Sequence, residues 1–163
     1  MNSTEKQPFK DLSTLFVIDA AHQPLVSSVD LRRGLLEKPS ALVVDDDDVA
    51  LQIAAKTLEN DCDIFTASNA QDALVMFVRQ APDVVFLDIR LPDASGLDLL
   101  AKLLEIDPRG YVVMLSGNSN QENILNSLER GAKGFVGKPF QTGKLIQYVG
   151  KCPSIIEKKR KIS

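Results

Sequence analysis

Carboxylate, hydroxyl and amine side chains follow several short apolar runs of this sequence, at positions where they could act together. The stretch VVDDDDV, residues 43–49, places four aspartates in a row after the apolar run 41–44. Three later apolar runs are followed by a carboxylate, a hydroxyl and an amine, namely Asp88, Ser116 and Lys138. Crowded carboxylates must bind a cation or take up protons. The first question is therefore which cation these aspartates bind, and for what reaction.

These residue types suit the transfer of a phosphoryl group. Mg²⁺ prefers oxygen ligands, uses one or two protein carboxylates and leaves room for phosphate oxygens, and Mn²⁺ is an alternative ion for such a site. A lysine supplies a point charge for a phosphoryl group, and an aspartate can accept one covalently. The set predicts phosphoryl transfer onto a carboxylate, with a metal ion and a lysine neutralising the charge of the transition state.

Each of these residues also has an ordinary structural explanation. A pair of aspartates at a strand end is often a helix N-cap with a solvated neighbour. Asp88, Ser116-Gly117 and Lys138-Pro139 are typical of turns and solvated loops. The functional interpretation therefore depends on whether the fold brings these positions together.

From residue 41 onward, apolar β-rich runs alternate with amphipathic segments of helical spacing. We predict strands at 41–44, 61–67, 84–87, 111–115 and 134–136, and helices at 49–58, 70–79, 97–106, 120–130 and 142–152. This alternation predicts a doubly wound α/β fold with a central parallel five-stranded sheet and helices on both faces. Functional groups gather at the carboxyl ends of such strands. We therefore expect convergence of Asp45, Asp46, Asp88, Ser116 and Lys138.

At these residues the sequence resembles the receiver domain of bacterial two-component response regulators, from Pro39 to Cys152. The matching stretches are ALVVDDDD, VVFLDIRLPDASGLDLL, VVMLSG and GFVGKPF, in the order of the family. The resemblance implies a CheY-like (βα)5 three-layer sandwich of the flavodoxin-like class. It also implies a response regulator of a phosphorelay, which accepts a phosphoryl group from a phosphohistidine and loses it slowly. Such a protein is not an enzyme with a separate substrate.

The resemblance assigns a role to each acidic residue. Asp88 would be the phosphoacceptor, and Lys138 would contact the phosphoryl group. Asp45 and Asp46 would hold Mg²⁺ together with Asp88 and the backbone carbonyl of Arg90.

The resemblance also implies a switch. Ser116 would close onto the phosphoryl group, and a cis peptide bond would join Lys138 to Pro139. Phe135 stands at the switch aromatic position, where it has no hydroxyl to donate and any inward state depends on packing. Arg90 and Asn118 occupy positions that tune dephosphorylation in the family. A long cationic Arg90 could cover the phosphoryl group, so we expect a long-lived acyl phosphate that decays faster in Arg90→Ala.

Two other functions fit parts of the sequence. VVDDDDV also resembles the motif of haloacid-dehalogenase-type phosphatases, with Asp45 as nucleophile and Asp47 as acid/base. Ser116 and Lys138 could then serve as the second and third motifs. That family needs further acidic ligands, but nothing acidic follows Lys138 until Glu157, and Asp88 is left unexplained. A third alternative is a receiver that binds partners without phosphorylation, which would have lost its acceptor, acidic pair or lysine.

Composition narrows the classes of function. A net charge of −3 gives no sign of direct DNA binding. No apolar run approaches the roughly 20 residues that cross a bilayer, and the first residues are polar. Cys62 and Cys152 have no metal-type spacing, so we interpret them as reduced thiols of a cytoplasmic protein. His22 is expected in a surface turn.

The two ends extend beyond the resemblance. Residues 1–38 are predicted as an extension of strand, turn, strand and short helix, with Asp30 as N-cap, and loosely resemble the closing half of a CBS motif. Residues 39–152 form the predicted receiver, and residues 153–163 a short basic tail that we expect to be mobile. We expect a sensor histidine kinase or a His-containing phosphotransfer protein to donate the phosphoryl group. We expect the phosphorylated state to be bound by a downstream effector, or by a second copy of the chain in a phosphorylation-dependent homodimer.

Overall fold

Five parallel strands form one sheet in the order β2-β1-β3-β4-β5. The computed structural model describes residues 16–117 and 121–162. The strands are β1 Ser40–Val44, β2 Asp63–Ala67, β3 Val84–Asp88, β4 Val112–Ser116 and β5 Gly134–Gly137. This order is that of the flavodoxin-like class, so the predicted sheet is confirmed.

Helices alternate with the strands and cover both faces of the sheet. They are α1 Val29–Leu35, α2 Asp48–Leu58, α3 Ala70–Gln80, α4 Gly96–Ile106, α5 Gln121–Glu129, α6 Thr142–Lys151 and α7 Pro153–Ile162, preceded by a 3₁₀ helix at Gln23–Ser28. The core on one face includes residues of α3 and α4, and the core on the other includes residues of α2, α6 and α7. Within the described part of the chain, no helix is long and apolar enough to cross a bilayer.

The central strands are apolar along their whole length because both of their faces are covered. On β1, Leu42 and Val44 belong to the core under α3 and α4, whereas Ala41 and Val43 belong to the opposite core. This alternation follows from the two-residue period of a strand. A continuous apolar run is therefore the expected pattern for a parallel strand between two helical layers.

Side-chain caps fix where three of the helices begin. Asp47 accepts a hydrogen bond from the backbone of Val49 at the start of α2, so the second half of the aspartate run begins a helix, as the dipole of a helix favours. Asn69 caps α3 and Ser95 caps α4 in the same way. Gly131 adopts a left-handed φ of 101° just after α5, where glycine has no Cβ penalty.

The segment before β1 differs from its prediction. Residues 23–28, expected to include a strand, form the 3₁₀ helix, and no strand precedes β1 between residues 16 and 39. Ser28, not Asp30, occupies the N-cap position of α1, and Asp30 lies in its first turn. The predicted strand and N-cap are therefore wrong. Residues 1–15 lie outside the described part of the chain.

Two arginines of α1 attach this segment to the α/β unit. Arg32 donates through Nη1 to the carbonyl of Arg79 at 3.1 Å, near the end of α3. Arg33 is buried, donates through Nε to the carbonyl of Pro82 at 2.9 Å, and pairs with the buried Asp107. The carbonyl of Arg79 lies in the last turn of α3, where carbonyl groups attract cations.

The C-terminal segment also differs from its prediction. Pro153 begins α7 rather than ending the ordered chain, because proline is well suited to the first turn of a helix. Ile155 and Lys158 are buried, and the Lys158 Nζ lies 2.7 Å from Asp83 Oδ2. Two further groups donate hydrogen bonds to the Asp83 carboxylate, the Ser154 hydroxyl and the Ser40 backbone N–H. The expectation of a mobile tail is wrong for residues 153–162.

Candidate functional site

The register of the sheet brings four strand ends to one edge. Asp45 follows β1 directly, Asp88 ends β3, Ser116 ends β4, and Lys138 follows β5. Backbone hydrogen bonds hold the residues beyond the strands: Asp45 N–H donates to Ala67 at 3.1 Å and Lys138 N–H donates to Ser116 at 2.8 Å. The predicted convergence of these positions is what the structure shows.

Three carboxylates meet at this edge. One oxygen each of Asp45, Asp46 and Asp88 lies within 4.8 Å of the others. Asp45 is fully buried and Asp88 is 6% exposed, whereas Asp46 is exposed. The site is therefore open to solvent on the side of Asp46 and enclosed on the side of the sheet.

Lys138 lies against two of these carboxylates. Its Nζ donates to Asp88 Oδ2 at 2.9 Å and forms an ion pair with Asp45 Oδ2. Burial disfavours the charge of Lys138, but the hydrogen bonds and charges of Asp45 and Asp88 outweigh burial, so the pKa of Lys138 is raised. The ammonium is thus held in its charged form beside the Asp88 carboxylate.

Asp88 has an altered acidity of its own. Its pKa is raised above the ordinary value, first because burial disfavours the charged form. The hydrogen bond from Lys138 opposes this rise, and the neighbouring charge of Asp45 adds to it. A cation bound between the carboxylates would favour the ionised form of Asp88.

The donor set fits a divalent metal ion. When all four groups are ionised, Lys138 compensates one of the three carboxylates and leaves two negative charges. The buried Asp45 Oδ2 has no hydrogen bond of good geometry within the described residues, although the Lys138 ammonium lies against it. Hard oxygen ligands with a solvent-facing side are what Mg²⁺ requires.

The loop after Asp88 folds back on itself. Arg90 N–H points to Asp88 Oδ1 at 3.3 Å, and Arg90 pairs with Ser95 in an isolated antiparallel bridge. Gly96 N–H donates to Ile89 at 2.6 Å, and a Cβ on Gly96 would lie 2.0 Å from the Asp88 carbonyl oxygen. Glycine is therefore required at position 96 for this close approach. The Arg90 carbonyl, expected as a metal ligand, belongs to this closed turn, and the Arg90 side chain is exposed.

The expected switch residues lie on the two neighbouring strands β4 and β5. Ser116 is buried at the end of β4, and Phe135 on β5 is half-buried, pairs with Met114 in the sheet and packs on the core under α3 and α4. The Lys138–Pro139 peptide bond is cis, as the resemblance implies. Asn118 lies outside the described residues.

The structure places Asp47 differently from the phosphatase interpretation. Asp47 is exposed and its carboxylate caps α2, at 3.0 Å from the N–H of Val49. A residue engaged in this way is a poor general acid/base, and the acidic cluster consists of Asp45, Asp46 and Asp88 instead.

One acidic residue of the site region was not singled out from the sequence. Asp93, in the loop after β3, accepts hydrogen bonds from the backbone of Ala70 and Gln71 at 2.8 and 2.9 Å. Its neighbour Pro92 makes it look like an ordinary turn residue. Because its partners are more than 20 residues away, no local spacing could have found them.

Comparisons with known proteins agree with this geometry. A family model described as the response regulator receiver domain matches residues 41–150. The chain is 31% identical over 113 residues to the chemotaxis protein CheY of Listeria monocytogenes, which covers 68% of this chain and 95% of that protein.

Solved structures show the same fold. The crystal structure of the receiver domain of NtrX from Brucella abortus has a TM-score of 0.65 and 36% identity, covering 69% of this chain and 96% of that one. The crystal structure of the CheX-CheY-BeF3-Mg²⁺ complex from Borrelia burgdorferi also has a TM-score of 0.65, at 26% identity, covering 69% of this chain and 87% of that one.

Proposed function

The chain belongs to the response regulator receiver domain family, and from that premise we propose that it accepts a phosphoryl group on Asp88 in a Mg²⁺-dependent reaction. The observation that carries this proposal is the convergence of Asp45, Asp46 and Asp88 with the ammonium of Lys138. The donor in this proposal is a phosphohistidine of a sensor histidine kinase or of a His-containing phosphotransfer protein.

The transfer is a displacement at phosphorus. A carboxylate oxygen of Asp88 forms the new O–P bond, the N–P bond of the phosphohistidine breaks, and the imidazole leaves with the electron pair and takes up a proton. Mg²⁺, when bound by Asp45, Asp46, Asp88 and the Arg90 carbonyl, would supply charge neutralisation for the phosphoryl oxygens. Lys138 supplies a fixed positive charge from within the protein.

The phosphoryl group then shifts a population of conformations. Ser116, at the end of β4, donates its hydroxyl to a phosphoryl oxygen, and Phe135 on β5 repacks with it. A modification can shift a conformational equilibrium only through contacts that differ between the two states. These two residues supply such contacts, and a downstream partner binds the surface around β5.

A family member of Borrelia burgdorferi is known in a CheX-CheY complex with BeF3 and Mg²⁺. By analogy we expect this chain to meet its effector, or a second copy of itself, in the phosphorylated state. We place its action in the cytoplasm, where the proposed phosphohistidine donors are found.

Treatment with a small acyl phosphate in Mg²⁺, followed by peptide mass spectrometry, tests the proposal. We expect the phosphoryl group on Asp88, its loss in Asp88→Asn, and its retention in the control Asp61→Asn. Mapping to Asp45 would support the phosphatase instead, and an unmodified wild type under conditions that label another receiver would contradict phosphoacceptance.

A further inference from the structure

The first turn of α3 is capped by two different segments. Asn69 Oδ1 accepts the N–H of Asp72 at 2.8 Å, as an ordinary N-cap does. Asp93, which is 23 residues beyond Ala70 in the chain, accepts the N–H groups of Ala70 and Gln71 through its two carboxylate oxygens. The first three free N–H groups of the helix are therefore satisfied, and only one of them by the local cap.

Asp93 lies in the loop that begins directly after Asp88. The base of this loop is closed by the bridge between Arg90 and Ser95 and by the bond from Gly96 to Ile89. A loop closed only at its base can still tilt relative to the sheet. The bidentate attachment of Asp93 to α3 removes that freedom, and so it constrains where the backbone of Arg90 lies relative to Asp88.

The attachment has a favourable electrostatic character. A carboxylate at a helix N-terminus is stabilised by the helix dipole, and hydrogen bonds to a charged acceptor are stronger than neutral ones. The dipole is weakened by salt and by exposure, and Asp93 is exposed. The attachment is therefore strong enough to hold a loop but not to dominate the stability of the protein.

We infer that Asp93 is a positioning residue of the metal site, which sets the Arg90 backbone beside Asp88 by tying the acceptor loop to the first turn of α3. This inference rests on the proposed function, because it assigns Asp93 to the same Mg²⁺ site. The geometry that points to it is a carboxylate that caps a helix distant in sequence while standing in the loop that carries an expected metal ligand.

The experiment measures binding of Mg²⁺ alone to the full chain by titration calorimetry at constant ionic strength. Three variants are compared with the wild type. Asp93→Ala removes both hydrogen bonds between the loop and α3. Asp93→Asn keeps one acceptor oxygen of similar geometry. Asn69→Ala removes the local cap of the same helix and leaves the loop unchanged. The thermal midpoint of each variant is recorded alongside, so that a loss of folding is recognised.

We expect Asp93→Ala to weaken Mg²⁺ binding about three- to tenfold, at or below the usual range for residues that orient metal ligands. Asp93→Asn should recover part of this loss, and Asn69→Ala should stay within about twofold of the wild type because it alters only the cap. The initial rate of phosphorylation at saturating Mg²⁺ should change less than the Mg²⁺ affinity does.

Equal Mg²⁺ affinity in Asp93→Ala and wild type, or equal losses in Asp93→Ala and Asn69→Ala, overturns the inference. If Asp93→Ala does not fold, the Mg²⁺ affinities of Asp93→Asn and Asn69→Ala are compared instead. Equal affinities of these two variants would then overturn the inference. If the wild type binds Mg²⁺ but takes no phosphoryl group on Asp88, the proposed function fails while the comparison of affinities still decides the role of Asp93.

Discussion

The four consecutive aspartates at 45–48 have the same side chain but lie in different environments. Asp45 is buried against Lys138, and Asp46 is exposed at the acidic cluster. Asp47 caps α2, and Asp48 is the first residue of that helix, where the dipole favours a negative charge. Position along the backbone, and not residue type, separates the expected metal ligands from the helix-starting residues.

Replacing Asp45 and replacing Asp48 should therefore give different results. Asp45→Ala removes a buried carboxylate that we propose as a Mg²⁺ ligand, and it should abolish Mg²⁺-dependent labelling of Asp88. Asp48→Ala removes only a favourable charge at a helix start and should cost about 0.5 kcal/mol of stability with labelling retained. Labelling with an acyl phosphate and urea unfolding measure the two effects, and similar behaviour of the two variants would refute the division of roles.

The thiol of Cys62 should be unreactive in the folded protein. Burial raises the pKa of Cys62 to about 12, and the charges of Asp61 and Asp83 add to the rise. At pH 8, a pKa of about 12 leaves about one thiol in ten thousand as the reactive thiolate. Cys152 is also buried, and burial raises its pKa.

Iodoacetamide labelling followed by peptide mapping checks this prediction. Both cysteines should react slowly at pH 8, faster as the pH rises toward 12, and at an ordinary rate when guanidinium unfolds the protein. Rapid labelling of Cys62 in the native protein at pH 8 would count against it.

At the scale of elements, the strands and helices of the central α/β unit follow from the local hydrophobic pattern of the sequence. The structure of the segments before β1 and after α6 does not follow from it in full. The alternation of apolar runs and amphipathic periods depends on neighbours in sequence, so all five strands and the helices between them were predicted within a few residues. The placement of α1 and of α7 depends on distant partners. Arg33 meets Asp107, and Lys158 meets Asp83, and neither pairing has a local sequence signal.

The same reasoning explains which parts of the site were predicted. Asp45, Asp88, Ser116 and Lys138 follow predicted strands, and parallel strands bring their carboxyl ends together. Asp93 is five residues beyond the end of β3, and its partners are backbone N–H groups of α3, which are present whatever the residue types. Backbone partners carry no residue-type signal, so this contact could not have been read from the sequence.

The attachment of α7 can be tested at its buried lysine. Lys158→Met should leave the buried Asp83 carboxylate without its cation. We expect it to lower the free energy of unfolding by about 3 kcal/mol, because breaking a buried ion pair leaves a buried charge without a partner. Lys159→Met is the matched control, since Lys159 is the next residue along and exposed, and should stay within about 0.5 kcal/mol of the wild type. Urea unfolding measures both, and equal losses would show that α7 is not held through Lys158.

At the scale of the whole molecule, the described segment before β1 packs on α3. Residues 16–35 pack on the side of α3 and α4, through Phe16 and Val29 in that core. Leu125, Leu128 and Ile146 are exposed apolar side chains on α5 and α6, the two helices that contact β5. Among the described residues, these side chains leave an apolar surface beside β5 exposed, and the proposed switch needs such a surface for a partner.

Mg²⁺ should stabilise the folded molecule as a whole. A ligand that binds only the folded state adds RT ln(1 + [L]/Kd), which at tenfold Kd is about 1.4 kcal/mol and about 3 to 6 °C in Tm for a chain of this size. Differential scanning calorimetry with and without Mg²⁺, at matched ionic strength, measures this rise. Asp45→Ala should show no rise, and an equal rise in that variant would place the binding elsewhere.

The pairing of Lys158 with Asp83 has a consequence for synthesis of the chain. The two residues are 75 positions apart, so the ribosome adds the carboxylate long before the cation. At about 5 to 20 residues per second, the nascent chain waits about 4 to 15 s between them. During that interval β3 carries an acidic residue at its amino end without the counter-charge that the finished protein gives it. The ion pair at the amino end of β3 can therefore form only after Lys158 has been added.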